Sequence, residues 1–166
     1  MIFMKKITTR LLSLVLLGAF IPSFVLAQEW DLNNGNIIVN AVPGTEQTVS
    51  QAGSTPTVDN NPVITSNGNS TNNTVTINAA ENATANVTLE NVNINTGGAA
   101  ISTSGQGNVN IELDGTNTVQ SGTNHAGVEK NSTGTLTIKD EKNNKGSLTA
   151  TGGDRGAGIG GGNDGS

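Results

Sequence analysis

The amino-acid sequence predicts an all-β chain folded as a three-sided parallel β-helix, a solenoid whose successive coils stack along one axis. Short segments of alternating apolar and polar residues, the pattern of a half-buried strand, recur through the second half of the chain. They recur in one order, three segments to a unit of about 22–31 residues, which is the spacing of a repeat solenoid. Glycine and asparagine interrupt this part of the chain too often for an α-helix to compete.

Residues 1–27 have the pattern of a secretory signal peptide. Lys5, Lys6 and Arg10 precede an apolar run, Leu11–Val25, and the small or branched residues that follow end at Ala27. The alternative, a membrane anchor, needs a longer apolar segment than this one. We therefore expect cleavage near Ala27 and a chain that is secreted or displayed on the cell surface.

The remaining chain is acidic and contains no cysteine. Removing residues 1–27 leaves five basic residues against thirteen acidic ones, a net charge of about −8. All five bases lie between Lys130 and Arg155. Such a surface repels the phosphates of nucleic acids and of anionic lipids, so neither is an expected partner. An exported chain without cysteine must also be stable without disulfides.

Residues 28–73 are predicted to be irregular, and residues 74–166 are predicted to form the coils. Within the first range, "NIIVNAV" from Asn36 fits a strand that caps the open core, and "PVITS" from Pro62 fits the first strand of the solenoid. The segment between them is rich in serine, threonine and proline, which indicates a loop.

Three strand positions recur within the coils. The first begins at Val87, Val109 and Leu136, the second falls at Ile94, Val119 and Leu148, and the third falls at Ile101, Val128 and Ile159. The third position follows two small residues each time, which would let the wall turn tightly. We therefore predict that Ile101, Val128 and Ile159 stack as one column of the core.

Corners are predicted between these positions. The aliphatic residues change parity between Leu89 and Val92, and only a bend at Glu90–Asn91 would point both inward. Glycines mark the other predicted turns, because a positive φ costs them little. These glycines are Gly97, Gly98, Gly105, Gly107, Gly115, Gly122, Gly134 and Gly146.

An antiparallel β-sandwich is the alternative fold. It predicts tight hairpins between adjacent strands, and "SNGN" at Ser66–Asn69 is a candidate for one. The carboxyl-terminal segment, "GIGGGNDGS", provides no cap over the last coil, so we expect the solenoid to be truncated at that end.

Two segments, "LDGTNTVQSGTNHAGVEKNSTGTLTIKD" and "GSLTATGGDRGAGIGGG", resemble repeats of large secreted or surface-exposed bacterial proteins of gut anaerobes. Those proteins are described as adhesin-like or carbohydrate-binding-like, and "GAGIGGG" is the most specific part of the match. The resemblance covers roughly Thr74 to Gly162. It implies export and a right-handed parallel β-helix, and it transfers no catalytic residues to this chain.

An acidic pair on one predicted strand is the main catalytic candidate. Glu112 and Asp114 lie on the outer side of "NVNIELD", and the repeat step that leads from Val109 to Leu136 also leads from Glu112 to Lys139. Polysaccharide lyases and hydrolases built on β-helices need clustered carboxylates, often with Ca²⁺, and a basic residue. An ion pair between coils on a solvated face accounts for the same residues, and this is the outcome that we expect.

Two further features are candidates for a binding site, and the scarcity of aromatic residues argues against a sugar-stacking surface. His125, the only histidine, precedes a tight turn and fits a turn residue better than an acid or a base. Asn163 and Asp164 partly match a Gly- and Asp-rich Ca²⁺-binding repeat, although Ile159 stands where that repeat needs glycine. Trp30 is the only Phe, Trp or Tyr after residue 27, and sugar rings usually stack on exposed aromatic residues.

These observations predict a structural or adhesion module of a bacterial envelope protein, without catalysis. A non-catalytic glycan-binding module is the first alternative, and a fragment of a lyase-like or hydrolase-like β-helix enzyme is the second. A host or environmental glycan or protein surface is the expected partner, and no membrane insertion is expected after cleavage. No cofactor is expected, and Ca²⁺ at Asn163 and Asp164 is the alternative.

Overall fold

The computed structural model describes residues 28–162, which fold as an all-β solenoid. The predicted signal peptide and the predicted Ca²⁺ ligands Asn163 and Asp164 lie outside these residues. Fifteen strands form three sheets, the three walls of the solenoid, and the helical structure of the described residues is one 3-10 turn, Leu32–Asn34. Within residues 28–162, no helix has the length and apolar character needed to cross a membrane. The predicted three-sided parallel β-helix is confirmed.

The strands follow the order expected of stacked coils. In chain order they are β1 (Glu29–Asp31), β2 (Ile37–Ala41), β3 (Thr48–Gln51), β4 (Thr57–Val58), β5 (Val63–Thr65), β6 (Val75–Ala79), β7 (Thr84–Glu90), β8 (Asn93–Asn95), β9 (Ile101–Gly105), β10 (Asn108–Asp114), β11 (Thr116–Gln120), β12 (Val128–Lys130), β13 (Leu136–Lys139), β14 (Ser147–Thr151) and β15 (Ile159–Gly160). Wall 1 stacks β1, β5, β7, β10 and β13, and wall 2 stacks β8, β11 and β14. Wall 3 stacks β2, β6, β9, β12 and β15, and β3 and β4 extend it beyond β2. Strands of successive coils pair in parallel on all three walls.

The predicted core column on wall 3 is confirmed. Val128 pairs with Ile101 on one side and with Ile159 on the other. The column continues through Val75 to Ile37, so it crosses five coils. Four of the five side chains are fully buried, whereas Ile159, in the last described coil, is 51% exposed because only one neighbouring coil covers it.

Two of the other predicted registers are wrong by two residues. On wall 1, Val109 pairs with Ala85 rather than with Val87, whose partner is Ile111. On wall 2, Val119 pairs with Ile94 as predicted, but Ala150 rather than Leu148 occupies the next coil. A shift of two residues keeps every side chain on the same face, so alternation alone does not separate these registers.

The coils begin nearer to the amino terminus than the sequence predicts. β1 and β2 already pair in parallel with β5 and β6 of the next coil. The predicted capping strand from Asn36 is therefore a wall strand, and the antiparallel strands β3 and β4, here called the cap hairpin, cover its free edge. The serine- and threonine-rich composition of residues 43–60 hid these short strands. The "SNGN" segment forms a corner after β5 and not a hairpin, which removes the main support for a sandwich.

The corners depend on backbone that few residues adopt. The predicted bend is confirmed at Asn91, whose φ is 52°, and the flanking Leu89 and Val92 are both fully buried. Gly115 also has positive φ, as predicted. At Gly122 the reason for glycine is different, because a Cβ there would overlap the backbone of Gly97 in the preceding coil. Close stacking of coils, as well as positive φ, therefore selects glycine at the corners.

Candidate functional site

A groove lined mostly by polar residue types runs along the outer face of wall 1. Val63, Thr88, Glu112 and Lys139 stand in register on successive coils, and all four line the groove. The remaining lining residues are Asn61, Asn86, Val87, Asn110 and Lys142, and the groove has a volume of about 320 Å³. Two residues predicted as a site, Glu112 and Lys139, are thus brought together at one place.

The floor of the groove is a ladder of asparagine amides. The Asn110 Nδ2 donates to the Asn86 Oδ1 of the preceding coil at 3.0 Å. Wall 3 has an equivalent ladder, in which the Asn78 Nδ2 donates to the Asn40 Oδ1 at 2.8 Å and the Ser104 Oγ donates to the Asn78 Oδ1 at 2.5 Å. In each bond the donor belongs to the later coil. Parallel strands in register produce this regularity, because equivalent side chains lie about 4.8 Å apart.

The charged segment between β13 and β14, residues 140–146, folds back over the acidic pair. The Glu112 Oε1 accepts hydrogen bonds from the backbone N–H groups of Glu141 and Lys142, at 2.7 and 2.6 Å. The Asp114 Oδ1 accepts from the Asn143 Nδ2 at 2.7 Å. We call residues 140–146 the strap, because these contacts hold it against wall 1. Both candidate carboxylates are therefore engaged in fixing a loop.

The predicted contact between Glu112 and Lys139 is present but long. The Lys139 Nζ lies 4.0 Å from the Glu112 Oε2 and 2.5 Å from the Glu141 Oε2. The hydrogen bond to Glu141 raises the pKa of the Lys139 ammonium. Desolvation opposes this rise, and the charges of Glu141 and then Glu112 add to it. Lys139 is therefore held in its charged form, which suits an ion pair better than a base that removes a proton.

His125 belongs to a different site, on wall 3. Its Nδ1 lies 2.8 Å from the Glu129 Oε2, and the backbone N–H of Ala126 also donates to that oxygen at 3.3 Å. The Asn131 Nδ2 donates to the Glu129 Oε1 at 2.7 Å. His125 therefore helps to hold the Glu129 carboxylate in place and does not contact Glu112 or Lys139.

Glu129 is the ionisable residue that the sequence analysis missed. Its alternation within β12 predicts an outward, solvated side chain, yet Glu129 is only 6% exposed. The glycine-rich segment of the next coil covers it, and Gly162 lies directly against the carboxylate. Burial by itself raises the pKa of Glu129, but the hydrogen bonds from Asn131 and His125, with the charge of His125 and the Ala126 N–H, hold that pKa below its usual 4.5. The spacing of four residues between His125 and Glu129 was the available signal.

Trp30 is not a platform for sugar rings. It is 6% exposed, and its Nε1 donates to the Asp59 Oδ2 at 2.9 Å within the cap. Asp59 is itself 3% exposed, so the pair is a buried polar contact between β1 and the segment after the cap hairpin. Any glycan contact by residues 28–162 therefore relies on amides, hydroxyls and charges.

The described residues contain no group of three or more His, Cys, Asp or Glu side chains arranged to hold a metal ion. Glu112 and Asp114 direct their oxygen atoms to the strap instead. Comparisons with protein-family models, with curated proteins and with solved structures give no match to this chain.

Proposed function

We propose that this chain is a structural and adhesion module of a bacterial envelope protein, secreted or displayed at the cell surface. The observation that carries the proposal is the outer surface of the solenoid, where asparagine and serine side chains form hydrogen-bonded columns over an aliphatic core that is buried in the middle coils. Such a rod presents a regular surface of amide and hydroxyl groups along its stacked coils. Export is supported by the signal-peptide pattern of residues 1–27.

Export and adhesion are tested in one experiment each. The full chain is expressed in a bacterial host and fractionated, and we expect a processed form that begins at Gln28 outside the cytoplasm. Beads coated with that protein should be retained on epithelial or particulate surfaces more than beads coated with the heat-denatured chain. An unprocessed cytoplasmic product, or equal retention of both kinds of bead, would contradict the proposal.

A non-catalytic glycan-binding module is the second candidate, and the groove on wall 1 supports it. Its lining offers amide and hydroxyl groups that donate and accept hydrogen bonds, which sugar hydroxyls require. With no exposed aromatic residue available among the described residues, we expect weak binding, with a Kd on the order of millimolar. A glycan array separates this function from a purely structural one.

The lyase-like alternative is tested by release of uronate products in the presence of Ca²⁺. We expect no release, because Lys139 is held protonated and Glu112 is bonded to the strap. Accumulation of unsaturated uronates above the level of a boiled control would overturn this expectation.

A further inference from the structure

The strap contains two of the few basic residues of this acidic chain, Lys142 and Lys145. Five basic residues lie within residues 28–162, and three of them have partners: Lys130 donates to a backbone carbonyl, Lys139 pairs with Glu141, and Arg155 lies near Asp154. Within the described part of the chain, the ammonium groups of Lys142 and Lys145 have neither an ion-pair nor a hydrogen-bond partner. Of these two, only Lys142 lines the groove.

Extra residues on the last described coil place Lys142 there. Along wall 2, the chain takes more residues to pass from Val119 to Ala150 than from Ile94 to Val119, so the later coil is the longer one. The strap lies within this longer coil, between β13 and β14. The backbone of Lys142 is fixed by its own N–H bond to Glu112. The lysine is therefore presented on an anchored loop and not on a freely moving one.

The acidic residue in the groove is already engaged by other groups. Glu112 accepts two backbone hydrogen bonds through one oxygen and faces the Lys139 ammonium with the other. The unpartnered charge that remains in the groove lining is that of Lys142. The groove thus offers, among the described residues, one ammonium without a partner beside a neutral amide ladder, on a molecule whose net charge is negative.

We propose that this groove binds an acidic glycan, with the Lys142 ammonium pairing with a sugar carboxylate and the Asn86–Asn110 ladder bonding the hydroxyls of adjacent sugars. This inference rests on the glycan-binding form of the proposed function and names its site and ligand class. A carboxylate at a lysine and hydroxyls at amides are matched donors and acceptors. The groove volume of about 320 Å³ lies at the lower end of the range for small-ligand sites.

An acidic peptide fits the groove less well than a glycan. A peptide gains affinity in a groove from apolar pockets or from pairing with an exposed strand edge. Here the floor is the face of a sheet and not its edge, and Val63 and Val87 are the only aliphatic residues in the lining. A repeating polymer of hydroxyl groups matches the repeating ladder better.

The test measures binding of the full chain to a tetramer of a hexuronic acid and to its methyl ester, by titration calorimetry. The ester keeps the sugar backbone and removes the carboxylate charge. We expect the acid to bind about tenfold more tightly, the size of one charge-assisted hydrogen bond. In Lys142→Gln the affinities for the acid and the ester should become equal. The matched variant Lys145→Gln, on the same strap but outside the groove, should keep the tenfold preference for the acid.

Three results would overturn the inference: equal affinity for acid and ester, equal losses in the two lysine variants, or tighter binding of a glutamate tetrapeptide than of the uronate. Neither lysine side chain has a partner to lose among the described residues, and equal melting temperatures of the three proteins will confirm that folding is unchanged. Bead retention is measured on the same samples. If the beads are still retained but the protein shows no preference for the acid, this inference is wrong and the proposed adhesion function is unaffected.

Discussion

At the scale of single residues, Glu129 illustrates how a neighbouring coil changes the environment of a side chain. Ser102 and Thr76, at the same register on the two preceding coils, are half-buried outer-wall residues. Glu129 stands in the same column, but the glycine-rich turn of the next coil covers it. Its carboxylate is then stabilised by hydrogen bonds from three groups, and its pKa falls below the usual value.

Replacing Glu129 should destabilise the fold in a manner that depends on pH. A carboxyl group whose folded pKa is lowered contributes stability above its unfolded pKa and loses it as the pH falls through the folded value. At about pH 7 we expect Glu129→Gln to lower the free energy of unfolding by about 2 kcal/mol, from lost hydrogen bonds to a charged group. Below pH 4.5 the difference from wild type should shrink progressively.

Urea unfolding at several pH values measures this effect. Glu81→Gln, at an exposed loop position, serves as the control and should show no change. A Glu129→Gln difference that stays constant down to about pH 2.5 would show that the loss concerns packing and not ionisation.

Glycines at the corners offer a second residue-scale prediction. A Cβ at Gly122 would overlap the backbone of Gly97, whereas a Cβ at Gly97 would meet no atom within 4 Å. We expect Gly122→Ala to cost about 2–3 kcal/mol through overpacking between coils, and Gly97→Ala to cost far less. Thermal unfolding of the two variants makes the comparison, and similar melting temperatures would contradict the close-stacking explanation.

At the scale of elements, the cap hairpin is joined to the coils by a side chain that substitutes for a strand. β5 begins at Val63, which pairs with Thr88, so the earlier residue Asn86 lacks a strand partner on that side. The Gln47 side chain fills this place. Its Oε1 accepts from the Asn86 N–H at 2.8 Å, and its Nε2 donates to the Asn86 carbonyl at 3.0 Å and to the Asp59 carbonyl at 2.9 Å.

Removing this amide should loosen the hairpin selectively. Gln47→Ala leaves the backbone groups of Asn86 without their partner, and we expect a loss of about 2 kcal/mol. Amide hydrogen exchange should quicken in β3 and β4 and stay unchanged in β10. Gln120→Ala removes an exposed amide and is the matched control. Equal exchange of β3 in wild type and Gln47→Ala would show that the hairpin is held by other contacts.

Elements also show which features the sequence could predict. The parity of each strand and the column through Ile101 and Val128 followed from alternation and from the small residues before each aliphatic. The pairing of Glu112 with Lys139 followed from the repeat step. The registers that pair Val109 with Ala85 and Val119 with Ala150 could not be predicted. Alanine is a weak apolar signal, and a shift of two residues keeps each side chain on the same face.

The contacts that the loops make could not be predicted from the sequence, for a different reason. The strap contacts Glu112 through backbone N–H groups. Nearly every residue has such a group, so the residue types of the strap do not predict this contact. Glu129 likewise owes its burial to a glycine-rich turn of the following coil, and glycines give no sign of which side chain they cover. The sequence therefore identifies Lys142 as one of several charged residues in this segment, but it does not predict that Lys142 lines a groove.

At the scale of the whole molecule, protection of the core differs between coils. The middle coils are covered on both sides, and their inward-facing aliphatic residues are buried. In the last described coil, Leu136, Ile138 and Leu148 pack on the core but stay partly exposed. Because each coil of a solenoid contacts only its neighbours, local stability should follow this coverage.

Hydrogen exchange of the native chain should reveal this gradient. We expect the slowest amides in β6, β7, β9 and β10, and faster exchange in β13 and β14, whose strands have one neighbour within the described residues. Mass spectrometry of peptic fragments resolves these segments. Equal protection of β10 and β13 would indicate that the solenoid opens as one cooperative unit.

The amide ladders also give the rod an electrical polarity. Each bond between side chains in the columns of Asn40, Asn78 and Ser104, and of Asn86 and Asn110, has its donor on the later coil, so the amide dipoles point the same way and add. Each column therefore leaves a donor unused at its early end and an acceptor unused at its late end. A polymer that bound along such a wall would meet different groups in its two orientations.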